Sequence, residues 1–353
     1  MPSYKELDLL TESQVKAIKA ETKAQARRAA RAEGVAKPVL LAEGDSWFNF
    51  PPGVDLIDHL THQHGFKIEN AGCFGDTLQN MVYGEKDRNG QSSIDELVEQ
   101  AKKLKPKVVL FSGGGNDVAG TELLAYLNHA HSGLPELRMR VVEDTFRTTA
   151  RQAIGDFVRK MVAASPGCVV IHHGYGVPVP NGAKTKAIWG LIPVAGPWLK
   201  TQFDRRRISF ENARKHMRTL IDEFNSMQAQ LQLEFAATGP KGAYRHVDLR
   251  GIVQDDDWSD ELHLKPSAFA KCADEIAKVI REVLPAAGGP VRESAAKAYW
   301  HRGTGKGKRA LPPPTKEKGK PARASKKASK APVRKKMKTP PGKAPKQPDG
   351  RPG

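Results

Sequence analysis

Cysteine is scarce in this chain. Cys73, Cys168 and Cys272 are too few and too scattered for a disulfide framework or a zinc site, and a reducing compartment fits that usage. Long apolar runs are missing too. The longest uncharged apolar stretch, Ala187 to Leu199, carries two prolines and two glycines and is too short to span a bilayer. The opening Met1-Pro2-Ser3-Tyr4-Lys5-Glu6 lacks the apolar core of a secretory signal. These absences exclude disulfide-stapled and helical-membrane classes and lead to the expectation of a cytoplasmic protein with no transmembrane segment.

Acidic residues are nearly absent from one region. Residues 286–353 hold 3 of the 39 Asp and Glu but 20 of the 57 Lys and Arg, a surplus of 17 that leaves the first 285 residues at +1 of the overall +18. The basicity therefore says almost nothing about the rest of the chain. Composition there turns to Lys, Pro, Ala and Gly with hardly any large apolar residue, so this tail is expected to be disordered. It is either a solvated charge run or an electrostatic contact for a polyanion such as DNA, RNA or an anionic membrane, without base readout. Residues 1–37 read as a basic helical lead-in, with Lys16, Lys19, Lys23, Arg27 and Arg31 forming a stripe on a helix over 11–33.

Between these ends, over 38–285, short apolar runs alternate with helical patterns. Strands are predicted at 39–43, 67–71, 107–112, 168–173 and 245–249, and helices at 53–64, 91–104, 136–164, 205–234 and 266–284. Such alternation implies βαβ units, a mainly parallel sheet and helices on both faces. Two insertions, 118–135 and 174–204, follow the third and fourth strands. The second is rich in Trp189, Ile192, Trp198 and other apolar residues; it either packs on its own body or covers an acyl chain.

Chemistry gathers where the strands end. Gly44-Asp45-Ser46-Trp47 closes the first predicted strand, with Gly44 permitting a bend and Ser46 at the edge where ligands bind in open α/β sheets. A serine becomes a useful nucleophile only with a base for its proton and donors for the charge that develops on the carbonyl oxygen. Gly72 and Gly75 expose backbone N–H groups after the second strand, and Gly113-Gly114-Gly115-Asn116-Asp117 brings an amide after the third. Asp260-Glu261-Leu262-His263 spaces a carboxylate and an imidazole so that one turn presents Asp260 to one ring nitrogen and leaves the other for Ser46.

These four segments, in this order, resemble the SGNH hydrolases, also called GDSL esterases and lipases. The corresponding blocks are Gly44-Asp45-Ser46, Gly75-Asp76-Thr77, Gly114-Gly115-Asn116-Asp117 and Asp260 to His263, within a resemblance that spans about residues 38–284. It implies a three-layer α/β/α sandwich with a flavodoxin-like five-stranded sheet. It also implies a hydrolase that cleaves a carboxylic ester or thioester without metal or organic cofactor. Ser46 would be the nucleophile, His263 the general base and acid, and Asp260 its orienting partner. The oxyanion hole would comprise the N–H groups of Ser46 and Gly75 and the amide of Asn116. Trp47 stands where the family has leucine, and Pro266-Ser267-Ala268-Phe269 where a glycine often follows the histidine; both bear on subfamily and substrate.

A substrate pocket is expected around Trp47, Trp189, Ile192 and Trp198, favouring acyl chains over acetyl groups. The alternatives are a carbohydrate O-deacetylase of the same family and a non-catalytic polyanion-binding module. Several residues read as structural: Asp45, Asp76 and Asp117 bond their turns, His59, His62 and His64 sit on a half-exposed helix end, His172 and His173 are turn residues, and Cys73 packs in the core. Asp255, Asp256 and Asp257 compete with Asp260 as the partner of His263.

Overall fold

The computed structural model describes residues 4–31, 39–84, 92–187, 192–240 and 242–285. The basic segment 286–353, and the polyanion contact expected of it, lies outside the described residues. In chain order the strands are β1 (Val39–Gly44), β2 (Lys67–Asn70), β3 (Val108–Ser112), β4 (Val169–His173), the short β5 (Thr185–Ala187) and β6 (Ile192–Ala195), and β7 (Tyr244–Val247). β5 and β6 pair antiparallel with each other. The other five form one parallel sheet in the order β2-β1-β3-β4-β7.

That order is flavodoxin-like, and it reverses between β1 and β3. Sheets of this kind bind ligands beyond the carboxyl ends of the strands, at the reversal. β3 is buried throughout and β1 from Leu40 onward, which is why both read as unbroken apolar runs. β2 lies at an edge, and only Ile68 of its four residues is buried.

The helices are α1 (Glu12–Arg31), α2 (Leu56–His62), α3 (Leu78–Tyr83), α4 (Ser93–Leu104), α5 (Met139–Glu143), α6 (Arg151–Ala164), α7 (Lys200–Arg205), α8 (Phe210–Ala237) and α9 (Pro266–Val283). α1, α2 and α9 pack as one group and α3, α4, α6 and α8 as another, the two helical layers of an α/β/α sandwich. The strands match expectation to within a residue or two. The helix predicted over 136–164 carries a π-helical stretch, Asp144–Ala150, between α5 and α6. The pattern over 205–234 breaks at Arg207, with φ 57°, and restarts where Ser209 Oγ accepts from Asn212 N at 3.2 Å. α3 and the β5–β6 hairpin are too short for periodicity to announce.

The first helix is docked through one face. Ile18 is fully buried in α1, and Lys19 pairs with Asp55 and, at 2.9 Å, with Asp58. Burial alone would lower the Lys19 ammonium, but the two carboxylates hold it above its ordinary range. Asp55 also accepts from Phe50 N at 3.0 Å, so the docking of α1 reaches the loop after β1. The three histidines at the end of the next helix and just beyond it are likewise inside: His59, His62 and His64 are all buried, and His64 Nε2 lies 3.0 Å from Asp274 Oδ1. Burial pushes His59 down to about 3. Among the described residues no group of three or more His, Cys, Asp or Glu is placed to hold a metal ion.

Candidate active site

Ser46 leaves the sheet at the reversal point. Gly44 pairs with Ser112 across β1 and β3, and a Cβ on Gly44 would lie 2.6 Å from Ser112 Cβ and 2.9 Å from its carbonyl oxygen. Close approach, rather than the expected bend, requires the glycine. The turn beyond it is locally bonded: Asp45 O accepts from the N–H groups of Phe48 and Asn49, each at 3.1 Å. The Asp45 carboxylate accepts from Trp47 N at 2.9 Å, Ser112 Oγ at 2.7 Å and the Tyr175 hydroxyl at 2.5 Å. Asp45 therefore shapes the turn, and burial pushes its carboxyl up despite these donors. Ser46, 5 % exposed, is left facing the crevice.

His263 meets it from the loop before α9. Its Nε2 lies 2.9 Å from Ser46 Oγ, and its Nδ1 lies 2.9 and 3.0 Å from the two oxygens of Asp260. Asp260 Oδ1 also accepts from the backbone N–H groups of Leu262 and His263, both at 2.8 Å, which closes the Asp260–His263 turn. Burial would raise the Asp260 carboxyl, but His263, the Thr185 hydroxyl and Leu262 N together hold it below the usual range. The neighbouring acids are engaged elsewhere: Asp255 pairs with Arg214 and Asp257 with Lys271, so neither competes for His263. An Nδ1–H donated to Asp260 leaves the Nε2 lone pair to accept the Ser46 proton, an arrangement able to carry that proton from Oγ.

Two residues that the sequence did not single out brace this side. Thr185, on β5, donates its hydroxyl to Asp260 Oδ2 at 2.5 Å. Glu261 is fully buried and accepts three backbone N–H groups of the insertion, Gly182 at 2.9 Å, Leu199 at 2.7 Å and Lys200 at 2.9 Å. The acid between Asp260 and His263 thus clamps both arms of the 174–204 insertion. Nothing in its local pattern distinguishes it from a surface glutamate. Phe50 stacks on the His263 ring at 4.3 Å, Phe74 lies nearly parallel to it at 5.8 Å, and Trp198 meets it edge-on at 5.6 Å.

The departures from the family pattern acquire reasons. Trp47 is buried against His173, Tyr175, Phe269 and Trp258, and its Nε1 donates to Leu262 O at 3.0 Å. One residue beyond Ser46 is therefore tied to the residue before His263. Pro266 opens α9, where its fixed φ and missing N–H fit the first helical position. His172 and His173 lie buried in β4 rather than in a turn, and burial lowers both.

On the donor side, Asn116 Nδ2 gives one hydrogen to Asp76 O at 2.7 Å, which fixes the amide beside the Gly75 loop. Gly75 holds φ 80°, a conformation that favours glycine. Asp117 accepts from Leu78 N at 2.8 Å, and burial pushes its carboxyl up to about 6. Cys73 is exposed rather than packed in the core.

A cavity of about 40 Å³ is lined by Ser46, Asn116 and Trp47 but not by Trp198. Trp198 stands against His263 instead, Trp189 lies outside the described residues, and Ile192 is placed only as the first residue of β6. The lining that the sequence missed includes Val118, Leu199, Met217, Ile221 and Trp258. Met217 and Ile221 sit one turn apart on the apolar face of α8, where a wall residue and a core residue look alike in sequence.

Among solved structures, a Clostridium thermocellum family 3 carbohydrate esterase is 16 % identical over 72 % of this chain and 100 % of its own, with a TM-score of 0.41. The lipase Lip_vut3 from a goat rumen metagenome is 11 % identical over 72 % and 100 %, with a TM-score of 0.42. The periplasmic domain of a Salmonella ser. Paratyphi A lipopolysaccharide acetyltransferase is 16 % identical over 75 % and 93 %, with a TM-score of 0.40. No curated protein sequence matches the chain. A family model does: GDSL-like lipase/acylhydrolase matches residues 40–276, and the chain belongs to this family of hydrolases acting on esters.

Proposed function

We propose that the protein is a serine hydrolase that cleaves a carboxylic ester or thioester through an acyl-enzyme on Ser46. The observation that carries this reading is the buried His263 ring, with Nε2 2.9 Å from Ser46 Oγ and Nδ1 2.9 Å from Asp260 Oδ1. His263 Nε2 takes the Ser46 proton as Oγ attacks the carbonyl carbon, then returns it to the leaving oxygen or sulfur as that bond breaks. Water attacks the acyl-enzyme with His263 again as base, and the carboxylic acid leaves with Ser46 reprotonated. The N–H groups of Ser46 and Gly75 and the second Asn116 amide hydrogen are the proposed oxyanion donors.

The test is hydrolysis of p-nitrophenyl esters from acetate to palmitate by the wild-type protein and by Ser46→Ala. Turnover should fall by at least about ten-thousand-fold in the variant; equal activity in both would reject Ser46 as nucleophile. The small size of the cavity favours one second reading, an O-deacetylase acting on carbohydrate. Release of acetate from an acetylated polysaccharide, faster than from p-nitrophenyl acetate, would select it. The composition of residues 286–353 supports a separate proposal, an electrostatic contact with a polyanion. Binding of DNA by the full chain should then weaken steeply with salt, and salt-insensitive binding would reject it.

A further inference from the structure

The cavity beside Ser46 identifies which half of the substrate it holds. Ser46 and Asn116 are among its lining residues, while His263 is not. Under the reaction proposed above, on which this inference rests, the departing alcohol or thiol takes its proton from His263 Nε2 and so lies on the His263 side. The group left on Ser46 Oγ lies on the other side, in the cavity. Phe74, 39 % exposed, stands on the leaving-group side and not in the cavity wall.

The wall decides what that group can be. Val118, Leu199, Met217, Ile221 and Trp258 offer apolar surface, and no Lys, Arg or His lines the space. An apolar acyl chain fits such a wall better than a charged or hydroxylated one. Length is limited as well. The cavity is small, about 40 Å³. Its α8 wall is packed into the core, with Met217 1 % and Ile221 5 % exposed. Close-packed interiors yield little to an oversized group.

We infer that the enzyme selects esters of short unbranched acyl groups, acetyl to butyryl, and that Met217 and Ile221 on α8 set the upper length. This narrows the expectation drawn from the apolar insertion, which favoured longer chains. That insertion contributes Leu199 to the wall, whereas its Trp198 serves the His263 side.

The experiment is the specificity constant kcat/KM for p-nitrophenyl acetate, butyrate, octanoate and palmitate, measured on the wild-type chain, Met217→Ala and Ile221→Ala. Wild type should peak at acetate or butyrate and drop at least about tenfold at octanoate, since a hydrophobic pocket discriminates by about that factor when a chain misfits. Each variant should raise its own octanoate-to-acetate ratio by about tenfold. Ser46-dependent activity that is flat or rises toward palmitate overturns the inference and leaves the hydrolase reading standing. Unchanged ratios in both folded variants overturn the assignment of Met217 and Ile221. Absence of Ser46-dependent hydrolysis of every ester rejects both the hydrolase reading and this one. The wild-type profile decides the length question even if neither variant folds.

Discussion

Ser46 and His263 reach the same point by different means. The serine leaves β1 on bonds made close by at the sheet edge, Asp45 N donating to Ser112 O at 3.0 Å and Cys73 N to Gly44 O at 2.7 Å, with the Asp45 carboxylate as a side-chain brace. The histidine is held by side chains drawn from across the chain: Asp260 from its own turn, Thr185 and Trp198 from the insertion, and Phe50 from the loop that α1 braces through Asp55. Backbone bonding makes a position less dependent on side chains. Side-chain bracing makes a position depend on each contributor. Perturbations on the Ser46 side should therefore separate into stability or rate, while those on the His263 side should act on rate through geometry.

The largest expected effect lies on the Ser46 side, in the strand itself. Glu43, the residue before Gly44, is buried, and burial pushes its carboxyl from an ordinary 4.5 to about 8. The folded protein keeps a proton there that the unfolded chain releases. Its contribution to stability is complete below about pH 4.5 and is lost as pH rises through about 8, a change on the order of 4 kcal/mol. Glu43→Gln cannot ionise and can still accept from Gly44 N. It should match the wild type at pH 5 and exceed it by several kcal/mol at pH 9 in urea denaturation; equal midpoints at pH 9 would show that Glu43 does not titrate in this way.

Next comes the donor. Asn116→Ala should lower kcat by roughly a hundred- to a thousand-fold, about 3 kcal/mol, with KM and the urea midpoint little changed. A variant with undiminished turnover would reject Asn116 as a proposed oxyanion donor. The smallest effect is on the other side. Thr185→Val deletes the hydroxyl on Asp260 Oδ2 and should reduce kcat by about tenfold, a loss of about 1 kcal/mol typical of one hydrogen bond. Thr185→Ser should restore it, because the hydroxyl and not the methyl is the brace. Loss of activity in the serine variant as well would mean that Thr185 acts by packing alone, and the contrast between the two sides would weaken.

Much of the sheet was legible because its central strands are buried on both faces, and burial of that kind writes an unbroken apolar run such as Val108-Val109-Leu110-Phe111. Ser46, Asp260 and His263, which the structure joins by hydrogen bonds, were read together with Asn116 because each stands at a strand end or turn. The docking of α1 was not legible because a lysine stripe gives no sign of the Asp55 and Asp58 that lie opposite Lys19. The cavity wall was only partly legible for a related reason: Trp47 lines it, but aromatic content in the insertion does not say which wall a ring faces, and Trp198 stands against His263.

By itself the sequence determined the alternation of strands and helices, the parallel sheet and the four blocks at its edge, since these follow from local periodicity, turn chemistry and spacing. Only the tertiary structure decided that Asp260 rather than Asp255 or Asp257 meets His263. It also decided that Trp47 ties the Ser46 turn to Leu262, that Glu261 and Thr185 clamp the insertion to the same loop, and that α8 closes the cavity. The physical reason is separation along the chain. Contacts between residues such as Trp47 and Leu262, or Ser46 and His263, leave no periodic trace in either segment, because each depends on how the sheet order brings distant loops to one edge.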